Sequence, residues 1–161
     1  LCPRAASRLC AIAEPSDDQR ELTVTQFDPA KGRGGTLTRF ALDPKDRGWF
    51  LDLSPDGTRI AAIRGPAGPI YVLSLRGGGP GTELKVNGWT NLRSLNWAAD
   101  GNSLFVGAGG DGTILHVDLR GNATVLQEHT FPSGVKAAPD GQHLAIPQHT
   151  MDRNLWMMEN F

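Results

Sequence analysis

"SPDGTRIAAI", Ser54 to Ile63, is an aspartate-glycine turn followed by an apolar run, and the chain repeats it in altered form. "AADGNSLFVG" runs from Ala98 to Gly107 and "APDGQHLAIP" from Ala138 to Pro147. Glycine supplies positive φ at the turn exit, and aspartate hydrogen-bonds its own backbone two residues on. Proline presets φ near −65° at the turn entrance. The flanks match as well, in "WFLDLSPDGTRIAAIR", "LRSLNWAADGNSLFVG" and "SGVKAAPDGQHLAIPQ". Each is an apolar-rich stretch, a short turn and a second apolar stretch, which reads as a β-hairpin. Asp56 and Asp100 lie 44 residues apart, and Asp100 and Asp140 lie 40 apart.

A third strand-like run follows each hairpin: "PIYVLSLRG" (Pro69–Gly77), "TILHVDLRG" (Thr113–Gly121) and "NLWMMENF" (Asn154–Phe161). "TELKVN" (Thr82–Asn87) and "ATVLQE" (Ala123–Glu128) close two of the units with a fourth. Four short antiparallel strands per roughly 42 residues is the blade of a β-propeller. Ahead of Trp49, "RLCAIAE" (Arg8–Glu14), "ELTVTQFDP" (Glu21–Pro29) and "TLTRFAL" (Thr36–Leu42) read as second, third and fourth strands of a further unit. Leu1 and Cys2 are then the end of its first strand. The expected fold is therefore all-β, an incomplete ring of about four blades. Blade 1 covers about 1–43 and lacks most of its first strand; blade 2 covers about 44–88 and blade 3 about 89–129. Blade 4 covers about 130–161 and lacks its last strand. A β-sandwich also has frequent turns, but does not require so long a period.

Composition agrees with many tight turns: 20 Gly and 11 Pro in 161 residues, with 39% hydrophobic residues. The 16 Lys and Arg against 17 Asp and Glu give a net charge of −1, so there is no one-signed field of the kind nucleic acid selects. The apolar runs are all shorter than about ten residues, too short for a membrane-crossing helix.

The pattern of an apolar strand, "SPDG", "TRIAAI" and "IYVLSL" resembles the TolB-like, or WD-repeat-like, propellers of bacteria, over about Arg8 to Phe161. "NLWMMENF" and the opening "CPRAASRLCAIAEPSDDQRELTVTQFDPAKGRG" are similar to C-terminal propeller regions of acidobacterial regulators, where the propeller follows a Ser/Thr kinase or a winged-helix domain. Such propellers close with about six to eight blades. An arc of about four leaves apolar faces bare, which invites association. Two arcs making an eight-bladed ring as a homodimer is the expected closure, and a truncated ring is its competitor.

Cys2 and Cys10 flank "PRAASRL", where other blades carry the Asp-Gly turn. Opposed residues at a hairpin neck suit a disulfide, and a bridge favours the periplasm or the exterior over the cytoplasm. No Cys-x-x-Cys spacing supports a metal pair.

The sequence contains no Gly-x-Ser-x-Gly elbow, no His-Glu-x-x-His and no phosphate-binding loop opening a helix, so no catalytic residue, metal or cofactor is assigned. The glycine-rich "RGGGPG" and "GAGGDG" read as hairpin loops. His116 and His143 are expected not to converge with other groups, leaving His149 as the one histidine near a binding face. The resemblance places ligands on the face made by the connections between blades and between second and third strands. Those connections carry Asp46, Arg47, Arg64, Trp89 and Asn91, and further on Arg93, Asp111, His149 and Arg153. Arg, Asp, Asn and Trp together suit a peptide or protein surface better than a catalytic pocket. Trp49 enters a blade as Trp89 does, and can serve a neighbouring blade or a ligand. The expected function is a non-catalytic binding or sensing module of a bacterial regulatory or envelope protein, with a protein or peptide partner. The competing readings are a propeller accessory to a peptidase, a propeller lyase, and an assembly element.

Overall fold

The structure, a computed structural model, describes residues 1–3, 10–42, 49–65, 68–76, 81–110, 112–128 and 134–147. Every regular element among them is a strand. The first sheet contains β1 (Cys10–Pro15), β2 (Glu21–Asp28) and β3 (Gly32–Ala41) in sequence order. β4 (Trp49–Leu53), β5 (Arg59–Arg64), β6 (Ile70–Ser74) and β7 (Thr82–Leu84) make the second. β8 (Ser94–Trp97), β9 (Ser103–Ala108), β10 (Thr113–Asp118) and β11 (Ala123–Gln127) make the third. β12 (Lys136–Ala137) pairs with β13 (Leu144–Ala145) in the last. All pairings are antiparallel between sequence neighbours, as in a propeller blade. The chain is thus an all-β, incomplete propeller of about four blades. The run at 154–161 and all of the turn "PRAASRL" (3–9) after Pro3 lie outside the described residues, although Leu1 exchanges two 2.7 Å backbone hydrogen bonds with Ala11, alongside β1.

The three Asp-Gly turns are built alike. Gly57, Gly101 and Gly141 stand at φ of 70°, 69° and 70°. Their N–H groups donate to the carbonyls of Ser54, Ala98 and Ala138 at 2.9, 3.0 and 3.1 Å. Asp56, Asp100 and Asp140 each accept from the backbone N–H two residues on. A fourth turn repeats this bonding without glycine. Ser16 accepts from Gln19 N–H at 2.8 Å, Asp18 accepts from Arg20 N–H at 3.1 Å, and Gln19 itself takes φ 55°. It joins β1 to β2, and without glycine it carries no Asp-Gly signature in the sequence.

The core lies between sheets. Ala61, Ile63, Ile70 and Leu84 of the second sheet cluster with Leu95, Trp97, Leu104, Val106 and Leu115 of the third, all buried. A second cluster joins Ala11 and Val24 of the first sheet to Leu53, Ile60 and Leu75. Apolar burial on this scale, worth roughly 25 cal/mol per Å² removed from water, holds the blades together.

Polar bonds fix how the blades meet. Asp52 Oδ2 on β4 accepts from Asn96 Nδ2 and from Trp97 N–H on β8, both at 2.8 Å. The indole N–H of the wholly buried Trp97 donates to the Asp52 carbonyl at 3.1 Å. Asn96 Oδ1 in turn accepts from Ala137 N–H on β12 at 2.9 Å. Asp52 and Asn96 each stand four residues before their turn aspartate, so one device is used in successive blades. Its effect is to bring first strands of three sheets side by side, as the innermost strands of a propeller must be. Lys136, at the third such position, carries only donors and cannot continue the series as an acceptor.

Candidate functional site

Strand directions separate two ends of the arc. The Asp-Gly turns occupy one, and the opposite end carries residues entering β4 and leaving β5, together with the segment from Val86 to Arg93 before β8. Arg64, Trp89, Asn91 and Arg93 therefore share the end on which ligands were expected. Asp46, Arg47, Asp111, His149 and Arg153 lie outside the described residues.

Two clefts open there. The first, about 470 Å³, lies between the first and second sheets. Leu22, Thr38, Phe40 and Ala41 line one wall, with Trp49, Ala62, Arg64, Tyr71 and Leu73 on the other. Pairing explains the second wall. Trp49 is the register partner of Arg64, and Leu51, Ala62 and Tyr71 form the next row across three strands. Residues two apart on a strand share a face, so Trp49, Arg64 and Tyr71 converge. The Arg64 guanidinium lies 5.5 Å from the Trp49 ring centre and 5.3 Å from that of Tyr71, both within cation–π range. Arg39 also lines this cleft and pairs with Glu21 at 3.6 Å, an exposed contact of little energetic weight. No carboxylate is among the described lining residues.

The second cleft, about 620 Å³, is bordered by Gly68, Pro69, Val86, Trp89 and Leu92 between the second and third sheets. Trp89 is half-buried and packs on the main core, donating its N–H to Val86 O at 3.2 Å. Asn91 takes φ 57° in the left-handed region, where asparagine is enriched, and its Oδ1 accepts from Arg93 Nε at 3.4 Å. Beside these clefts Phe50 is 43% exposed, a large aromatic side chain left open on an inner strand.

At the turn end lie the two histidines of the third and fourth units, His116 and His143. Both line one cavity of about 340 Å³ between the third and fourth sheets, with Asp100, Ser103 and Phe105. His116 stands on β10 and His143 just before β13, 27 residues apart in sequence, so their shared cavity arises from sheet packing. His116 Nε2 is 2.8 Å from Ser103 Oγ, and its ring centre is 5.3 Å from that of Phe105. His143 Nδ1 is 2.9 Å from Asp140 Oδ2. The Gln142 backbone N–H, and after it the His143 ring, hold the Asp140 carboxyl below the usual carboxylate range. These contacts are satisfied within the cavity wall, and no cluster of three metal-ligating groups occurs among the described residues. Tyr71 and Phe105 are half-buried, whereas Trp97 is fully enclosed.

Comparison with solved structures gives the same architecture. The chain is similar to the Dos1 propeller at 17% identity, with a TM-score of 0.57 over 89% of this chain and 37% of that one. It matches the C-terminal WD40 domain of Sif2 at 13% identity and a TM-score of 0.53, over 91% of this chain and 44% of that one. Dihydro-heme d1 dehydrogenase NirN matches at 20% identity and a TM-score of 0.58, over 92% of this chain and 32% of that one. The chain thus spans less than half the length of each, and at these identities the likeness is one of fold, the β-propeller. No family model and no curated protein matches the sequence.

Proposed function

We propose that the chain is a non-catalytic propeller module that binds a protein or peptide segment on the end carrying Arg64, Trp89, Asn91 and Arg93. The observation that carries this reading is the stacking of Arg64 on Trp49 and Tyr71 in the first cleft, with Trp89 bordering the second at the same end. Tryptophan, tyrosine and arginine dominate binding energy at protein interfaces. The WD40 and propeller neighbours support an interaction module.

The Cys2–Cys10 bridge, with Cα atoms 4.1 Å apart, supports an oxidising compartment such as the periplasm or exterior. The TolB-like resemblance and a place in a bacterial regulatory or envelope protein belong to the same proposal. So does homodimeric closure of the ring, for which sedimentation should give twice the chain mass. Peptidase and lyase roles are the alternatives, and a substrate screen with turnover above background would favour them.

The binding reading is tested by selecting peptides from a displayed library and mapping amide exchange in the complex. Protection is expected around 49–51, 64 and 86–93. Protection confined to the turns at 54–58, 98–102 and 138–142 refutes it.

A further inference from the structure

Among the asparagines of this chain, only Asn87 is followed by glycine. The pair stands in the connection from β7 to β8, in a turn where the Trp89 N–H donates to the Val86 carbonyl at 3.2 Å and Gly88 takes φ 79°. Val86 is buried, but Asn87 and Gly88 are exposed and border the 620 Å³ cleft beside Trp89. Neither the Asn87 side-chain amide nor the Gly88 N–H has a hydrogen-bond partner among the described residues. A Cβ on Gly88 would meet nothing within 4 Å, so the space beside this peptide is open.

We propose that Asn87 is a covalent modification site: in the folded protein it deamidates through a cyclic imide, placing an acidic group at the rim of the second cleft. Asparagine is a thermolabile side chain, and a following glycine puts no Cβ in the way of ring closure. The Gly88 nitrogen gives its proton to hydroxide and attacks the Asn87 side-chain carbonyl carbon. A new C–N bond closes a five-membered ring, and the side-chain nitrogen leaves as ammonia, taking a proton from water. A further water then opens the ring at either carbonyl. Opening at the side-chain carbonyl gives aspartate, and opening at the backbone carbonyl gives isoaspartate. Water is the only co-reactant, and nothing is oxidised or reduced.

The three described Asp-Gly turns hold nearly the same atoms and are closed to this step. Gly57, Gly101 and Gly141 give their N–H to a carbonyl three residues back, and Asp56, Asp100 and Asp140 accept backbone N–H groups as carboxylates, which are poor electrophiles. Asn96 is buried and bonded through both side-chain polar atoms, and Asn122 Nδ2 donates to Asp118 Oδ2 at 2.8 Å. Isoaspartate at 87 routes the main chain through one additional carbon, inside the turn that the Trp89–Val86 bond closes. The Asn87 N–H, bonded to the Gly121 carbonyl at 3.0 Å, stands before the change.

The test ages the full chain under native, mildly alkaline conditions in heavy-oxygen water. The acidic product, one charge beyond the net −1, is separated by anion exchange. Peptide mapping with electron-transfer fragmentation then tells aspartate from isoaspartate. Asn87 should take up the labelled oxygen and deamidate at least about tenfold faster than Asn91, Asn102 or Asn122. Its rate should rise with pH, because the attacking nitrogen must lose a proton, and should stay within about tenfold of that in guanidinium-unfolded chain. Isomerisation at Asp56 and Asp100 should instead speed up by more than about tenfold on unfolding. Asn87→Gln, which needs a six-membered ring, should leave position 87 intact over the same period, with thermal melts verifying its fold. No deamidation at Asn87, loss spread evenly over the asparagines, or a folded rate more than about tenfold below the unfolded one overturns the proposal. In the isoaspartate fraction the Trp89 amide should lose exchange protection while that of residue 87 keeps it. Unchanged protection at Trp89 refutes the remodelling of the turn and leaves the modification standing.

Discussion

Removing the Asp52 carboxylate should loosen the arc at its inner edge. Asp52 Oδ2 accepts two bonds across the blade boundary, from Asn96 Nδ2 and Trp97 N–H at 2.8 Å each. Alanine at this position leaves both donors without that acceptor, beside a tryptophan that no solvent reaches. An unsatisfied buried donor costs about 1–3 kcal/mol, so Asp52→Ala should lose about 2–4 kcal/mol. For a chain of this size that is a fall in melting temperature of roughly 5–15 °C. Asp52→Asn keeps an oxygen in place and should lose less, about 1 kcal/mol, because only the charge assistance goes. Asn96→Asp sets two carboxylates face to face and removes the donor, and should cost at least as much as Asp52→Ala. The exchange Asp52→Asn with Asn96→Asp restores one donor and one carboxylate in swapped places. The double variant should therefore be more stable than the sum of the singles by about 1 kcal/mol or more. Urea unfolding followed by far-ultraviolet circular dichroism and tryptophan fluorescence measures all four. Additivity within about 0.3–0.5 kcal/mol refutes the link.

Gly121 takes φ 90°, and a Cβ there would stand 2.1 Å from the Lys85 carbonyl oxygen. Gly121→Ala should thus lose about 2 kcal/mol or more in the same assay, whereas Gly110→Ala, with open space around it, should stay within about 0.5 kcal/mol. Burial raises the Asp56 pKa, but bonds from Ser54 and Thr58 outweigh it and hold the carboxyl at about 2. The folded pKa lies below the unfolded 3.8, so this stabilisation is full above pH 3.8 and is lost as pH falls towards 2. Asp56→Asn should flatten the fall of melting temperature across that window, by well under what the shift implies in isolation because the site is largely exposed. The Cys2–Cys10 bridge closes a separation of 8 residues, worth roughly 2.5 kcal/mol by loop entropy. Thiol titration without reductant should find no free cysteine, and reduction should lower the melting temperature by several degrees.

The blade arrangement was legible because its information is local. Gly57, Gly101 and Gly141 must take positive φ, and only glycine does so without strain, so the turn chemistry is written where the structure uses it. Cys2 and Cys10 were legible for a similar reason, a hairpin neck only eight residues long. The bonds between blades were not, because Asp52 and Asn96 lie 44 residues apart and meet only after two sheets have packed. Their equal offset from the turn aspartates was a visible signal, but it identifies equivalent positions without saying that they touch. His116 and His143 come to line one cavity for the same reason, across a boundary between sheets.

The repeat that hides these contacts also separates binding residues from building residues. Where both blades keep an apolar side chain at equivalent positions, as at Leu51 and Leu95, packing between sheets is sufficient reason for it. Where one blade departs, the shared architecture cannot be the reason, and chemistry local to that blade must be sought. Loop placement alone points to Arg64, whereas Trp49 and Tyr71 emerge as its partners only from the strand register. A lone arginine at a strand end is an ordinary solvent-facing residue. An arginine held against two aromatic rings, at a position its sister blade fills with buried alanine, has been taken out of that ordinary role. The part of the fold that departs from its own repeat is thus the part whose side chains the shared blade architecture does not explain.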